Sequence, residues 1–143
     1  MNKPSVLVDL DGVLAKYDGW RGVENIGAPI PGAVEFTRQL SEFARVVIYT
    51  TRCKEYPGST SAPAGAAGSD RRPVVELVAI VTTWLDRHGF HYDEIYSGQG
   101  KPFGVAVIDD RAVSCLPQED VRAFGWALVR TRALCTGLRK ANT

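Results

Sequence analysis

The chain has 143 residues, of which 45% are hydrophobic and 23% are charged, and its formal net charge is +1. This is the composition of one ordinary domain, predicted to span residues 1–143. The near balance of charge argues against a protein built mainly to bind nucleic acid, because such proteins carry a marked excess of lysine and arginine.

The first part of the chain predicts a strand, a helix and a second strand. Residues 6–8 and 46–49 are short runs that are apolar throughout, which is typical of parallel strands covered on both faces. Between them, apolar residues recur at helical spacing and predict a helix that packs on the sheet. That face consists of Ala33, Phe36, Leu40 and Phe43, and Pro31 suits the first turn.

A segment rich in Gly, Pro, Ser and Ala follows at residues 54–73. This composition predicts a long flexible loop, since glycine and proline interrupt helices and strands. Loops of this length often act as lids or binding loops, and a tolerated insertion is an equally good interpretation.

The second part of the chain continues the alternation. A helix is predicted from the spacing of Leu77, Ile80, Val81, Trp84 and Leu85, with Gly89 just past its end. Strand-like runs follow at residues 94–96 and 105–108. A last helix is predicted over about residues 118–135, with Val121, Phe124, Leu128 and Cys135 on one face, although Gly125 disfavours it. Alternating strands and helices predict an α/β fold with a doubly wound parallel sheet.

The cysteines and the first residues indicate the cellular setting. Cys53, Cys115 and Cys135 are widely separated and form no CxxC pair, so neither a disulfide framework nor a zinc ribbon is expected. The N-terminal apolar run is interrupted by a carboxylate and is too short for a signal peptide or a membrane span. We therefore expect a reducing, cytoplasmic location and no association with membranes.

Reactive polar side chains lie next to the ends of the predicted strands. Asp9 and Asp11 follow the first strand, Thr50 and Arg52 the second, and Asp109 and Asp110 the last, while Lys101 precedes the last strand. Ligands of open α/β sheets bind in the crevice at the carboxyl ends of the strands. We therefore expect these side chains to converge there.

Four carboxylates at one place predict a bound cation, because nearby like charges raise each other's pKa. Oxygen ligands without His or Cys favour Mg²⁺. Lys101 and Thr50 would add a positive charge and a hydroxyl group suited to a phosphoryl group. Of Asp9 and Asp11, one carboxylate can attack phosphorus while the other acts as acid and then as base. Gly12 would keep a Cβ out of the substrate's way.

Each of these signals also has a structural interpretation. A DxD pair is common by chance, and Asp109 and Asp110 would also suit a turn or a helix N-cap. A basic group borders the long loop and is interpreted either as solvated charges or as a surface that attracts a polyanion. It consists of Arg52, Lys54, Arg71 and Arg72. The order and placement of the polar residues together favour the functional interpretation.

Four segments carry a family resemblance. They are VLVDLDGVLA at residues 6–15, VVIYTTR ending at Arg52, Lys101-Pro102, and VAVIDDR at residues 105–111. These segments resemble, in the same order, the four motifs of the haloacid dehalogenase superfamily, a Rossmann-like group of mostly Mg²⁺-dependent phosphatases. The resemblance implies a three-layer domain without a sizeable cap, because the gaps between the motifs leave no room for one.

Carried over residue by residue, the resemblance makes Asp9 the nucleophile and Asp11 the general acid and base. The Asp9 carboxylate, the backbone carbonyl of Asp11 and Asp110 would bind Mg²⁺, while Asp109 would support the metal shell and orient Lys101. Which of Asp109 and Asp110 is the direct ligand stays open.

Substrate contacts are implied in the same way. Thr50, Thr51, Arg52 and Lys101 would bind the substrate, with Thr50 and Lys101 also catalytic. Tyr17, Trp20 and Arg21 lie where the family places a flap, and packing of a hairpin is an equally good interpretation.

The resemblance implies a phosphatase that hydrolyses a phosphomonoester through an aspartyl phosphate. The carboxylate at Asp11 favours phosphoryl transfer, since dehalogenases of the family lack it. Without a cap, the substrate is a nucleotide, a nucleic-acid end, a sugar phosphate or a phosphoprotein, and a homo-oligomer is possible. The alternative is a non-catalytic protein that binds phosphate or acts as a scaffold.

Overall fold

A computed structural model describes residues 2–53, 72–98 and 100–141, so residues 54–71 of the predicted loop lie outside the described part. Within it are four strands and three α-helices, and the last two strands follow one another with no helix between them. The strands are β1 (Ser5–Val8), β2 (Arg45–Ile48), β3 (Glu94–Ile95) and β4 (Ala106–Ile108). The helices are α1 (Ala33–Ser41), α2 (Val74–Arg87) and α3 (Ala123–Ala141), and a short 3₁₀ turn covers Thr51–Cys53. The predicted α/β class is confirmed.

All four strands are parallel and form one sheet in the order β3-β2-β1-β4. Val8 at the end of β1 lies opposite Ile48 of β2 and Ile108 of β4. The carboxyl ends of these three strands therefore meet at one edge of the sheet, and the residues that follow them start from neighbouring positions.

The core joins the sheet to α1 and α2 and includes Val8, Val46 and Ile48, which are all buried. The predicted apolar face of α2 is confirmed for its larger part. Leu77, Val81, Trp84 and Leu85 are buried, whereas Ile80 is half-buried. Gly89 follows the end of α2 with a φ of 76°, a left-handed conformation that glycine adopts at helix ends at low cost.

The predicted face of α1 is only partly right. Ala33 and Leu40 are buried, but Phe36 is 38% exposed, and Phe43 is 65% exposed and lies beyond the helix. Thr37 takes a core position instead and is fully buried. Helical spacing identifies an arc of the helix, but it does not show which edge of that arc touches the sheet.

The buried hydroxyl of Thr37 is satisfied by main-chain partners. Thr37 Oγ1 donates to the carbonyl of Val34 at 2.8 Å and accepts the backbone N–H of His91 at 3.2 Å. A polar residue can replace an apolar one in the core when its hydrogen bonds are made. Gly32 is the N-cap of α1, with a φ of 90°, so Pro31 precedes the helix and does not lie in its first turn.

The chain divides into two compact units, Met1–Asp110 and Arg111–Thr143. The first contains the sheet with α1 and α2, and the second contains α3. Among the described residues, no helix combines the length and apolar character that crossing a membrane requires.

The helix of the second unit differs from the prediction. It starts at Ala123, and residues 117–119 form a turn where the helix was expected to begin. The predicted face is not buried: Val121, Phe124, Leu128 and Cys135 are exposed.

Candidate functional site

Three carboxylates converge at the carboxyl edge of the sheet. Asp9 follows β1, and Asp109 and Asp110 follow β4. The two strand ends are joined because the Asp9 N–H donates to the carbonyl of Ile108 at 2.9 Å. One carboxylate oxygen from each aspartate lies within 4.8 Å of the other two. The parallel pairing of β1 with β4 thus brings together residues that are about a hundred positions apart.

The electrostatics of this acidic triad, Asp9, Asp109 and Asp110, are unfavourable without a counter-charge. Burial and then repulsion from Asp109, Asp110 and Asp11 raise the pKa of Asp9 to about 7, although the N–H of Leu10 opposes the shift. That N–H donates to Asp9 Oδ1 at 2.8 Å. Three carboxylates are oxygen ligands of the kind that hard divalent cations prefer, and a cation bound there would offset the repulsion that helps to raise the pKa of Asp9.

Gly12 allows Asp110 to approach β1. Its φ is 85°, and a Cβ built on it would lie 2.9 Å from Asp110 Cγ. Any other residue would push the Asp110 carboxylate away, in addition to adopting a strained backbone. Gly12 was expected to make room for a substrate. In the structure it also makes room for the side chain of Asp110.

The fourth predicted carboxylate, Asp11, does not join the triad but pairs with Arg52. Arg52 Nε donates to Asp11 Oδ2 and Arg52 Nη2 to Asp11 Oδ1, each at 2.8 Å. The Arg52 side chain is 1% exposed and the Asp11 side chain 16%. The expectation that all four carboxylates gather is corrected to three, because the fourth has a cation of its own.

The interpretation of Arg52 as a solvated charge is wrong, since the residue is only 2% exposed. Neighbouring sequence gave no sign of this, because its partner Asp11 lies 41 positions away. The pair is the main feature of the site that sequence reasoning missed. Arg72, from the same predicted basic group, fits the solvated interpretation better, with an exposed ion pair to Glu24 at 2.7 Å.

The other predicted substrate ligands differ in position. Thr50 is buried at the end of β2, beside β1, and its Oγ1 accepts the N–H of Arg52 at 3.2 Å. Thr51 is exposed at the start of the 3₁₀ turn. Lys101 is exposed on the segment that leads into β4. The structure thus brings Thr50 into the hydrogen-bond network around the site.

The predicted flap residues separate into two environments. Tyr17 and Arg21 line an open cavity of about 420 Å³ together with residues 16, 18, 19 and 24–27, whereas the ring of Trp20 lies 4.7 Å from the Arg52 guanidinium carbon. Arg21 also forms an exposed ion pair with Asp18 at 2.9 Å. Trp20 is thus linked to the site through Arg52.

Comparison of the chain with protein-family models, with curated proteins and with solved structures gives no match. Functional inference therefore rests on the geometry of the acidic triad and on the motifs that carry its residues.

Proposed function

We propose that the protein is a Mg²⁺-dependent phosphatase of the haloacid dehalogenase type that hydrolyses a phosphomonoester. The observation that carries the proposal is the approach of the Asp9, Asp109 and Asp110 carboxylates to within 4.8 Å of one another at the carboxyl edge of a parallel sheet. Acidic clusters also occur without metals, so the support comes from this placement together with the raised pKa of Asp9. A three-layer, doubly wound fold without a cap is part of the same proposal.

The metal would be held by Asp9, Asp110 and the backbone carbonyl of Asp11, with Asp109 supporting the shell. Bound there, Mg²⁺ would neutralise the repulsion among the carboxylates and part of the negative charge of the phosphoryl group. The absence of His and Cys from the triad favours Mg²⁺ over softer metals.

In the first chemical step, a carboxylate oxygen of Asp9 attacks phosphorus in line with the leaving oxygen. The bond from Asp9 to phosphorus forms as the bond from phosphorus to the leaving oxygen breaks. Asp11 gives a proton to that oxygen, so the product leaves as an alcohol. The N–H of Leu10 orients the Asp9 carboxylate for this attack through its bond to Oδ1.

In the second step, a water molecule attacks the aspartyl phosphate. Asp11 takes a proton from the water, the bond from Asp9 to phosphorus breaks, and inorganic phosphate is released. The Thr50 hydroxyl and the Lys101 ammonium would hold phosphoryl oxygens in both steps. Because Lys101 is exposed, this contact requires its long side chain to turn toward the site.

A second candidate function is the non-catalytic binding of phosphate. One observation favours it: both oxygens of Asp11 are engaged by Arg52, as in a purely structural ion pair. Nucleotides, nucleic-acid ends, sugar phosphates and phosphoproteins are the candidate substrates. A panel of such phosphoesters would identify the substrate class.

The first prediction tests the proposed function with an aryl phosphate. Wild-type protein with Mg²⁺ is expected to release phosphate, and a chelator is expected to abolish release. Asp9→Asn should lower kcat by about 10⁴-fold or more, because removing a nucleophile removes the covalent route. Phosphate release is followed colorimetrically.

Asp86→Asn is the matched control, since Asp86 is an exposed residue of α2 outside the site. Hydrolysis that is indifferent to both the chelator and Asp9→Asn would contradict the mechanism. Binding of Mg²⁺ and inorganic phosphate by calorimetry, with no turnover of any phosphoester, would favour the second function.

A further inference from the structure

The guanidinium of Arg52 has every N–H group engaged within the protein. Two of its five N–H groups go to the carboxylate of Asp11. The other three go to main-chain carbonyls of one loop: Nη1 donates to Val23 at 2.9 Å and to Gly22 at 3.1 Å, and Nη2 donates to Asn25 at 3.4 Å. An arginine with this set of partners has no donor left for a phosphoryl oxygen.

Two further contacts hold Arg52, one through its backbone N–H and one through the planar face of its guanidinium. Its N–H donates to Thr50 Oγ1 at 3.2 Å, within the 3₁₀ turn that follows β2. Its planar group lies 4.7 Å from the ring of the half-buried Trp20. Arg52 therefore touches two groups of the proposed site, the carboxylate of Asp11 and the hydroxyl of Thr50.

The pair has the geometry that fixes a carboxylate most firmly. Parallel N–H donors from one guanidinium fork to both oxygens of Asp11 set the plane of the carboxylate as well as its distance. Because the Arg52 side chain is 1% exposed, water does not replace these bonds when one partner is removed. Lysine carries the same charge but lacks the fork.

We propose that Arg52 is a positioning residue that orients the acid and base Asp11 and ties it to the loop formed by residues 22–25. Arg52 acts through Asp11 and does not bind the substrate, in contrast to its predicted role in substrate binding. The inference rests on the proposed phosphatase function, in which Asp11 exchanges protons with the leaving oxygen and with water.

The test compares Arg52→Lys in the wild-type and Asp11→Asn backgrounds, with an aryl phosphate and Mg²⁺. In the wild-type background, kcat is expected to fall about 10- to 100-fold with KM nearly unchanged, because a misplaced catalytic group slows chemistry more than binding. In the Asp11→Asn background the same change should cost less than about threefold, since residues that act as a unit are not additive. Millimolar guanidinium should restore part of kcat to Arg52→Ala.

Arg45→Lys is the matched control, because Arg45 lies at the start of β2 and pairs with Glu94 in an exposed ion pair at 2.7 Å. A rise in KM at constant kcat would show that Arg52 binds substrate and would overturn the proposal. An equal loss of kcat in both backgrounds would do the same.

Folding of Arg52→Lys is checked by circular dichroism, and an unfolded Arg52→Lys protein would assign Arg52 to the fold and also overturn the proposal. An inactive wild-type protein would instead refute the phosphatase function, and the role of Arg52 with it. An active wild-type protein whose Arg52→Lys variant is equally active would refute the role of Arg52 alone.

Discussion

Two aspartates that lie two positions apart have opposite electrostatic environments. Loss of solvent on burial, followed by repulsion from neighbouring carboxylates, raises the pKa of Asp9 to about 7. Asp11 faces the guanidinium of Arg52. Asp11 therefore has a counter-charge within the protein, whereas the carboxylates beside Asp9 repel it.

The raised pKa of Asp9 predicts a pH dependence of stability in the absence of metal. Burial and repulsion from the neighbouring carboxylates raise the pKa of Asp9 from the ordinary 3.8 of an aspartate to about 7, so the folded protein holds this proton up to a higher pH. Between these values the folded state holds more protons, so the free energy of unfolding falls as pH rises and levels off above pH 7. The loss is of the order of 2 kcal/mol, discounted for partial exposure.

Urea unfolding with a chelator between pH 5 and 7.5 measures this dependence, because most other carboxylates are already ionised in that range. Asp9→Asn should remove the downward slope, and Asp86→Asn should keep it. An identical slope in wild-type protein and in Asp9→Asn would mean that Asp9 does not have a raised pKa.

At the scale of elements, α1 shows why burial does not follow from apolar spacing alone. Thr37 is fully buried, and its hydroxyl bridges Val34 and His91. Thr37→Val keeps the shape but removes the acceptor for the N–H of His91. We expect a loss of about 1–2 kcal/mol in the free energy of unfolding, because a buried donor without a partner is costly.

Phe43→Ala is the comparison for Thr37→Val, since Phe43 is 65% exposed. It should change the free energy of unfolding by no more than about 0.5 kcal/mol, as is usual for surface substitutions. Chemical denaturation of both variants gives the result. A larger effect for Phe43→Ala than for Thr37→Val would indicate that Phe43 is buried, as the sequence predicts, and would contradict its exposure in the structure.

In helix α2, unlike α1, most of the residues predicted to face the core are buried. Leu77, Val81, Trp84 and Leu85 form a continuous apolar stripe, and all four are buried. A wide stripe leaves little freedom in how a helix rotates against a sheet, whereas the narrower stripe of α1 allows a rotation that exchanges Phe36 for Thr37.

At the scale of the whole molecule, Cys53 reports on the integrity of the core. It is fully buried in the core cluster, and burial raises the pKa of its thiol to about 12, while Cys115 and Cys135 are exposed. Because the thiolate is the reactive form, native protein should react quickly with a thiol reagent at two cysteines only. The third should react when urea unfolds the protein.

Counting modified thiols by mass spectrometry over time tests this expectation. Cys53→Ala should abolish the slow phase and leave the two fast modifications unchanged. Three fast modifications in native wild-type protein would contradict the buried position of Cys53.

The sequence by itself determined what depends on neighbouring residues. Apolar runs located the strands, the stripe of α2 located its buried face, and the positions directly after the first and last strands placed Asp9 and Asp109 at equivalent strand ends. Parallel strands bring their carboxyl ends together, so the approach of these carboxylates followed from the local pattern.

Only the tertiary structure decided which charges meet. Asp11 pairs with Arg52, which lies 41 positions away along the chain, and does not join the other carboxylates. This pairing depends on the position of Arg52, whose guanidinium is held by the carbonyls of the loop at residues 22–25. Gly12 likewise gains its importance from Asp110, which is close to it in space only. Electrostatic and steric interactions depend on the distance between groups in space. For residues far apart in the sequence, only the folded structure sets that distance.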